Sequence, residues 1–173
     1  MTSIKKYVLA GFLMTFLMVT GCTSEEKAES ERDSNSTPKL LTSSSYNLYK
    51  SESCGCCEEW MEYMSDKGYH ALIHHPKNLT AVKSSLGIDS EYQSCHTAVF
   101  ENGYVMEGHV PAKFVTQFMN NPPDGALGLA VPGMPVGSPG MEMEGRFKPY
   151  NIYLLKKDGS TEVYASVESA DQQ

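Results

Sequence analysis

Basic side chains are scarce in this 173-residue chain: 14 Lys and Arg stand against 21 Asp and Glu, a formal charge of −7 at neutral pH. Binding to nucleic acid needs a basic face that displaces phosphate counterions, so nucleic acid is not an expected partner. Long apolar runs are missing too. The run from Tyr7 to Val19 is thirteen residues, too short to span a bilayer as a helix of a mature protein. Residues 23–45 have no aromatic side chain and only three clearly apolar ones, Ala28, Leu40 and Leu41, so they bury too little surface to offset the entropy of ordering. Cysteine is sparse and unevenly placed: of five, one is Cys22 and the other four lie between Cys54 and Cys95.

The N-terminus sets an expected compartment. Lys5 and Lys6 precede the short apolar run, which ends in Thr20-Gly21-Cys22, the pattern of a secretion signal. The sequence "VTGC" resembles a bacterial lipoprotein signal. The resemblance implies cleavage before Cys22, lipidation of Cys22 and, because Thr23 rather than aspartate follows, attachment to the outer membrane on its periplasmic side. Removal of residues 1–21 takes away two basic residues and no acidic ones, leaving a formal charge of −9. The expected organisation is a signal peptide over 1–21, a flexible acidic tether over 22–45, one domain over 46–166 and a disordered tail over 167–173.

Within that domain "YNLYKS" alternates as a strand does, and Cys57, Trp60, Met61 and Met64 then fall at i, i+3, i+4 and i+7, one face of a helix stopped by Gly68. "YHALIHH" reads as a second strand and Leu79 to Leu86 as a short helix. "TAVFENGYVMEG" reads as a hairpin turning at Asn102-Gly103, and Pro111 opens a third helix, "PAKFVTQFMN". The stretch "GALGLAVPGMPVGSPGMEMEG" is too rich in Gly and Pro for either regular element and is expected to be a long functional loop, followed by one more strand, "YNIYLLKK". The order βαβ then ββα is that of a thioredoxin-like α/β fold, with a Gly/Pro/Met-rich loop and an extra C-terminal strand added.

In such a fold a Cys-x-x-Cys motif lies between the first strand and its helix, where free amide donors and the helix dipole favour thiolates. Here that position reads Cys54-Gly55-Cys56-Cys57, with a third thiol inside the motif. The loop that would face it reads "QSCHTAV", placing Cys95 and His96 where a cis-proline is usual; His109 follows at the far end of the hairpin. Three chemistries are compatible with four converging thiols: dithiol exchange by Cys54 and Cys57, two structural disulfides, or a metal site. Exchange leaves Cys56 and Cys95 as competitors. Two disulfides must leave the adjacent Cys56 and Cys57 in different directions, which disulfide geometry makes awkward. A metal site uses every sulfur.

Thiolate, thioether and imidazole together form a soft set suited to Cu(I), zinc or iron–sulfur clusters. The loop offers Met134, Met141 and Met143, a ligand type zinc does not need, and export as an unfolded chain disfavours a cluster. Copper is the expected metal, held by Cys54, Cys56, Cys57, Cys95, His96, His109, Met134 and Met141, with Met143 a weaker candidate. Met61, Met64, Met106 and Met119 are expected as core filler, and His70, His74 and His75 as solvated.

The residues "CGCCxxW", "SCHTAV", "GYVMEGHVPA" and "GLAVPGMPVGSPGME" resemble those of the CopG-type copper-resistance family, over Tyr46 to Tyr153. The resemblance implies a thioredoxin-like fold, copper at the CGCC turn, a role in periplasmic copper handling with Cu(I)/Cu(II) redox change, and other periplasmic copper-handling proteins as partners. Contact with the membrane is expected through the lipid anchor only. A thiol–disulfide oxidoreductase using Cys54 and Cys57 stays as the alternative, and whether copper redox turnover makes the protein an enzyme is left open.

Overall fold

The computed structural model describes residues 44–173. The expected signal peptide, Cys22 and nearly all of the expected tether lie outside the described residues. Ten regular elements follow in order: β1 (Ser45–Lys50), α1 (Gly55–Asp66), β2 (His70–His74), α2 (Leu79–Ser85), β3 (His96–Phe100), β4 (Val105–Glu107), α3 (Ala112–Asn120), β5 (Ala126–Ala130), β6 (Tyr150–Lys156) and β7 (Thr161–Val167). They form a mixed α/β protein around a single seven-stranded sheet in the order β2-β1-β3-β4-β5-β6-β7.

The helix-linked pair β1 and β2 is parallel, as its crossover requires, with Leu48 opposite Ile73. β3 runs antiparallel to both β1 and β4. The β3–β4 turn falls at Asn102-Gly103, where Gly103 donates to the Phe100 carbonyl at 2.8 Å and adopts φ +84°. Alternation along these strands sends Tyr46, Leu48, Ala98, Phe100 and Met106 into one core with Trp60 and Met64 of α1 and Val115 and Phe118 of α3. Thr97, Val99, Val105 and Glu107 point to the other face, beneath α2. Met64 and Met106 are fully buried and Met119 nearly so, in the packing roles expected of them.

Three segments differ from the sequence reading. Ala126–Ala130, expected inside a loop, is β5, parallel to β4 and antiparallel to β6. It lies inside the sheet and is buried on both faces, so it has no polar alternation to betray it. A second added strand, β7, pairs with β6 at the sheet edge, and its exposed Val163 matches that position. The segment 167–173, expected as a tail, is held in place: Val167 is buried, and Gln173 accepts from the Tyr150 hydroxyl at 2.8 Å and donates to the Gly137 carbonyl at 2.9 Å.

Candidate metal centre

The centre forms where β1 hands over to α1. The chain turns at Ser51, whose carbonyl accepts from Cys54 N at 3.2 Å, and Cys54 becomes the N-cap of α1 in an extended conformation. The first-turn amides of the helix thus open beside Cys54, Cys56 and Cys57, at the positive end of the helix dipole. Helical spacing decides their exposure. Cys57 shares the buried face with Trp60 and Met64, while Cys54 and Cys56 are half-buried.

Cys54 and Cys57 are joined as a disulfide with a Cα separation of 5.4 Å; Cys56 and Cys95 are free thiols. Cys56 Sγ lies 3.6 Å from Cys54 Sγ. The sulfurs of Cys54, Cys56, Cys57 and Cys95 all lie within 4.8 Å of one another, and a second group joins Cys95 to His96 and His109 within the same limit. Cys95 belongs to both, so the two groups form one Cys/His cluster able to bind metal.

The histidines are set by packing. His96, the first residue of β3, is fully buried against the Trp60 ring, 4.4 Å between centroids, and Trp60 is itself fixed by its indole N–H donating to the Val110 carbonyl at 3.0 Å. His109 reaches the cluster because Gly108 turns through φ +70°. A Cβ at Gly108 would stand 2.5 Å from the Val131 carbonyl oxygen and 2.6 Å from Ser94, so only glycine fits this crossing. His109 Nδ1 lies 2.7 Å from the Pro139 carbonyl, which only accepts; Nδ1 therefore carries the proton and Nε2 presents a lone pair to Cys95 Sγ, 3.1 Å away.

The Cys95 thiol donates its single proton to that lone pair. His96 Nδ1, 3.3 Å from the same sulfur, is then the donor, and His96 Nε2 is a buried nitrogen with no hydrogen-bond partner. Burial, then the neighbouring His109 and the Lys83 and Lys50 ammoniums, holds the pKa of His96 well below its ordinary value; burial likewise lowers that of His109. Both imidazoles are thus kept in the neutral form that binds metals. Burial first, then the neighbouring Cys56, pushes the Cys95 thiol up to about 12, so at neutral pH it keeps its proton until something replaces it. A soft cation is such a replacement, and two neutral imidazoles beside clustered thiols fit one.

The long loop after β5 wraps this cluster. Gly133 pairs with Ser94 beside Cys95, Pro139 receives His109, and Gly140 packs against α1 so closely that a Cβ there would meet Trp60 N at 2.5 Å and the Cys56 carbonyl oxygen at 2.9 Å. Met134 directly follows Gly133 and is 54% exposed; Met141 directly follows Gly140 and is half-buried. Met141 thus follows a residue packed on Cys56, and Met134 follows one paired with Ser94, the neighbour of Cys95, while Met143 is exposed and pairs with Arg146. His70 and His75 are exposed, and His74 is occupied by Asn47 Oδ1 at 2.8 Å and by the Tyr49 ring.

Sequence reasoning passed over three buried charges beside the site, Lys50, Lys83 and Glu107. Their signal is visible in the spacing: Lys50 takes the third inward place of β1 after Tyr46 and Leu48, Lys83 takes the i+4 place in the apolar series Leu79, Val82, Leu86 that runs through α2 to its C-cap, and Glu107 ends the buried strand β4.

The architecture and the cluster define a mixed α/β protein with a Cys/His metal-binding centre. Two solved structures described as copper resistance protein CopG, in forms 1 and 2, share this fold. The form 2 structure matches at 36% identity and a TM-score of 0.67 over 71% of this chain and 97% of its own. The form 1 structure matches at 37% identity and the same TM-score over 72% and 98%. A family model described as a protein of unknown function, DUF411, matches residues 92–141, from just before Cys95 to Met141. No curated protein matches. The chain belongs to the CopG copper-resistance family.

Proposed function

We propose that the chain is a copper-binding protein of the cell envelope that holds Cu(I) in copper resistance and homeostasis, with change between Cu(I) and Cu(II) at the same centre. The observation that carries this reading is the meeting of four cysteine sulfurs with two neutral, buried imidazoles around Cys95. Cys54, Cys56, Cys57, Cys95, His96 and His109 are the ligands of this reading, with Met134 and Met141 at its rim. Sulfurs so close together are suited to bridging, which supports several Cu(I) ions rather than one. Full loading requires an external dithiol to reduce the Cys54–Cys57 disulfide, becoming a disulfide itself as it passes on two electrons and two protons, and the metal then displaces the protons of the two thiols so formed.

The strand order β2-β1-β3-β4, with β1 parallel to β2 and the cysteine turn opening α1, supports a thioredoxin-like core extended by β5 to β7. The test measures metal content and thiol count on one purified sample. One or more equivalents of copper, with thiols that react only after chelation, is the expected result. Reduced protein that stays empty when offered Cu(I) sinks the reading.

A second reading, thiol–disulfide exchange by Cys54 and Cys57, is favoured by the disulfide that joins them. Insulin reduction by metal-free protein supports it; no turnover removes it. We further propose lipid attachment at Cys22 to the periplasmic face of the outer membrane, with other periplasmic copper-handling proteins as partners. Among the described residues no helix is long and apolar enough to cross a membrane. Incorporation of a labelled fatty acid into the parent and not into a Cys22→Ala variant is expected, and an unlabelled parent would refute the anchor.

A further inference from the structure

Glu107 is the one fully buried carboxylate among the described residues, and it lies beneath the loop that carries Cys95. Its Oε1 accepts from Lys83 Nζ at 2.5 Å and from the Ser94 backbone N–H at 2.6 Å; its Oε2 accepts from the Thr97 hydroxyl at 2.6 Å. Lys83 Nζ, also buried, donates a second bond to Thr97 Oγ1 at 2.9 Å. The ion pair lies on the α2 face of the sheet, while His96 lies on the face packed by Trp60. A buried ion pair is often matched in stability by apolar side chains of similar volume, so stability alone is a weak reason for one here. Its geometry supplies a better reason. The same carboxylate fixes the residue before Cys95 and stands two residues before His109, and Gly108 N donates to the His96 carbonyl at 3.0 Å.

We propose that Glu107 is a positioning residue of the metal centre: its carboxylate, held by Lys83 and Thr97, anchors the Ser94 amide and so places the Cys95 sulfur against both the cysteine turn and His109. The identity of the metal rests on the copper reading above; the placement of Cys95 does not.

The test compares two paired variants of the full chain, purified in detergent and reduced. Lys83→Met with Glu107→Gln removes both charges but keeps an oxygen for the Ser94 amide. Lys83→Met with Glu107→Leu removes the acceptor as well. Thermal unfolding establishes that each is folded, the rate of Cys95 alkylation in metal-free protein reads the loop, and competition with a Cu(I) chelator reads the centre. The Leu variant is expected to alkylate faster at Cys95 and to lose about 10- to 100-fold in Cu(I) affinity, with the Gln variant within about threefold of the parent. A folded Leu variant with unchanged alkylation and affinity overturns the proposal. Should it not fold, Thr97→Val, which withdraws one support from the carboxylate, is expected to raise the alkylation rate about threefold, and an unchanged rate overturns the proposal equally. A parent protein that takes up no Cu(I) refutes the copper reading, while the alkylation rates still decide the role of Glu107.

Discussion

His109 Nε2 meets Cys95 Sγ at 3.1 Å with its other ring nitrogen already committed to the Pro139 carbonyl. The loop therefore sets the tautomer and the hairpin end supplies the lone pair. His109→Leu, which keeps the bulk and removes the nitrogen, is expected to weaken Cu(I) binding at least about tenfold, on the scale seen when an oriented partner of a metal centre is lost. Chelator competition measures it. Unchanged affinity would exclude His109 from the centre.

Cys95 joins the sulfur group to the imidazole group, so its loss should cost metal more than fold. Cys95→Ser keeps a small hydrogen-bonding group beside His109 and is expected to change stability by no more than about 1 kcal/mol while lowering copper stoichiometry. Metal analysis with a thermal melt on the same sample checks both. Full copper loading would place the metal elsewhere.

The disulfide gives the centre two capacities. With Cys54 and Cys57 joined, only Cys56 and Cys95 remain as thiols among the described residues, and with the bond reduced all four are available. Oxidised protein is expected to bind less than half the Cu(I) taken up after reduction, since a sulfur in a disulfide is no thiolate donor. Parallel anaerobic titrations compare the two forms. Equal capacities would mean that Cys54 and Cys57 are not ligands.

Acid should destabilise the metal-free protein through its buried histidines. Both pKa values are lowered by burial, so near and below the unfolded value of about 6.5 the unfolded chain binds protons that the folded one refuses. The stability from keeping them neutral is complete above that pH and is lost as pH falls toward the folded values. Each histidine is expected to contribute a slope of roughly 1.4 kcal/mol per pH unit within that window. Glu107, its pKa raised by burial, has the opposite sign of slope, so the histidine share is read as the difference between the parent and His109→Leu. Denaturant melts from pH 7 to pH 5 that show no such difference would mean His109 is charged when folded.

Local spacing carried the cysteine turn, α1, the hairpin and α3, because each depends on a periodicity or a turn residue within a few positions. It also placed Cys95 and His96 opposite the turn, through the order of the elements. Residues 126–130 defeated it because a strand buried on both faces shows only an apolar run, and the neighbouring Gly125 and Pro132 look like loop. Glu107 and Lys83 were legible only as single polar residues in apolar series. Their meaning comes from contacts that cross the chain between α2, β3 and β4, and no short window contains those contacts.

Trp60 links the core to the centre. Its indole N–H is held by Val110, its ring lies against His96, and it is fully buried. Trp60→Phe keeps an aromatic face for His96 but strands the Val110 carbonyl in the core, which costs about 1–3 kcal/mol for an unsatisfied buried acceptor. The expected result is a lower thermal midpoint with the same copper stoichiometry, since no ligand has been removed. If copper binding falls as well while the protein stays folded at the assay temperature, the orientation of His96 depends on the indole itself. The second ring of Trp60 would then be part of what aims the imidazole.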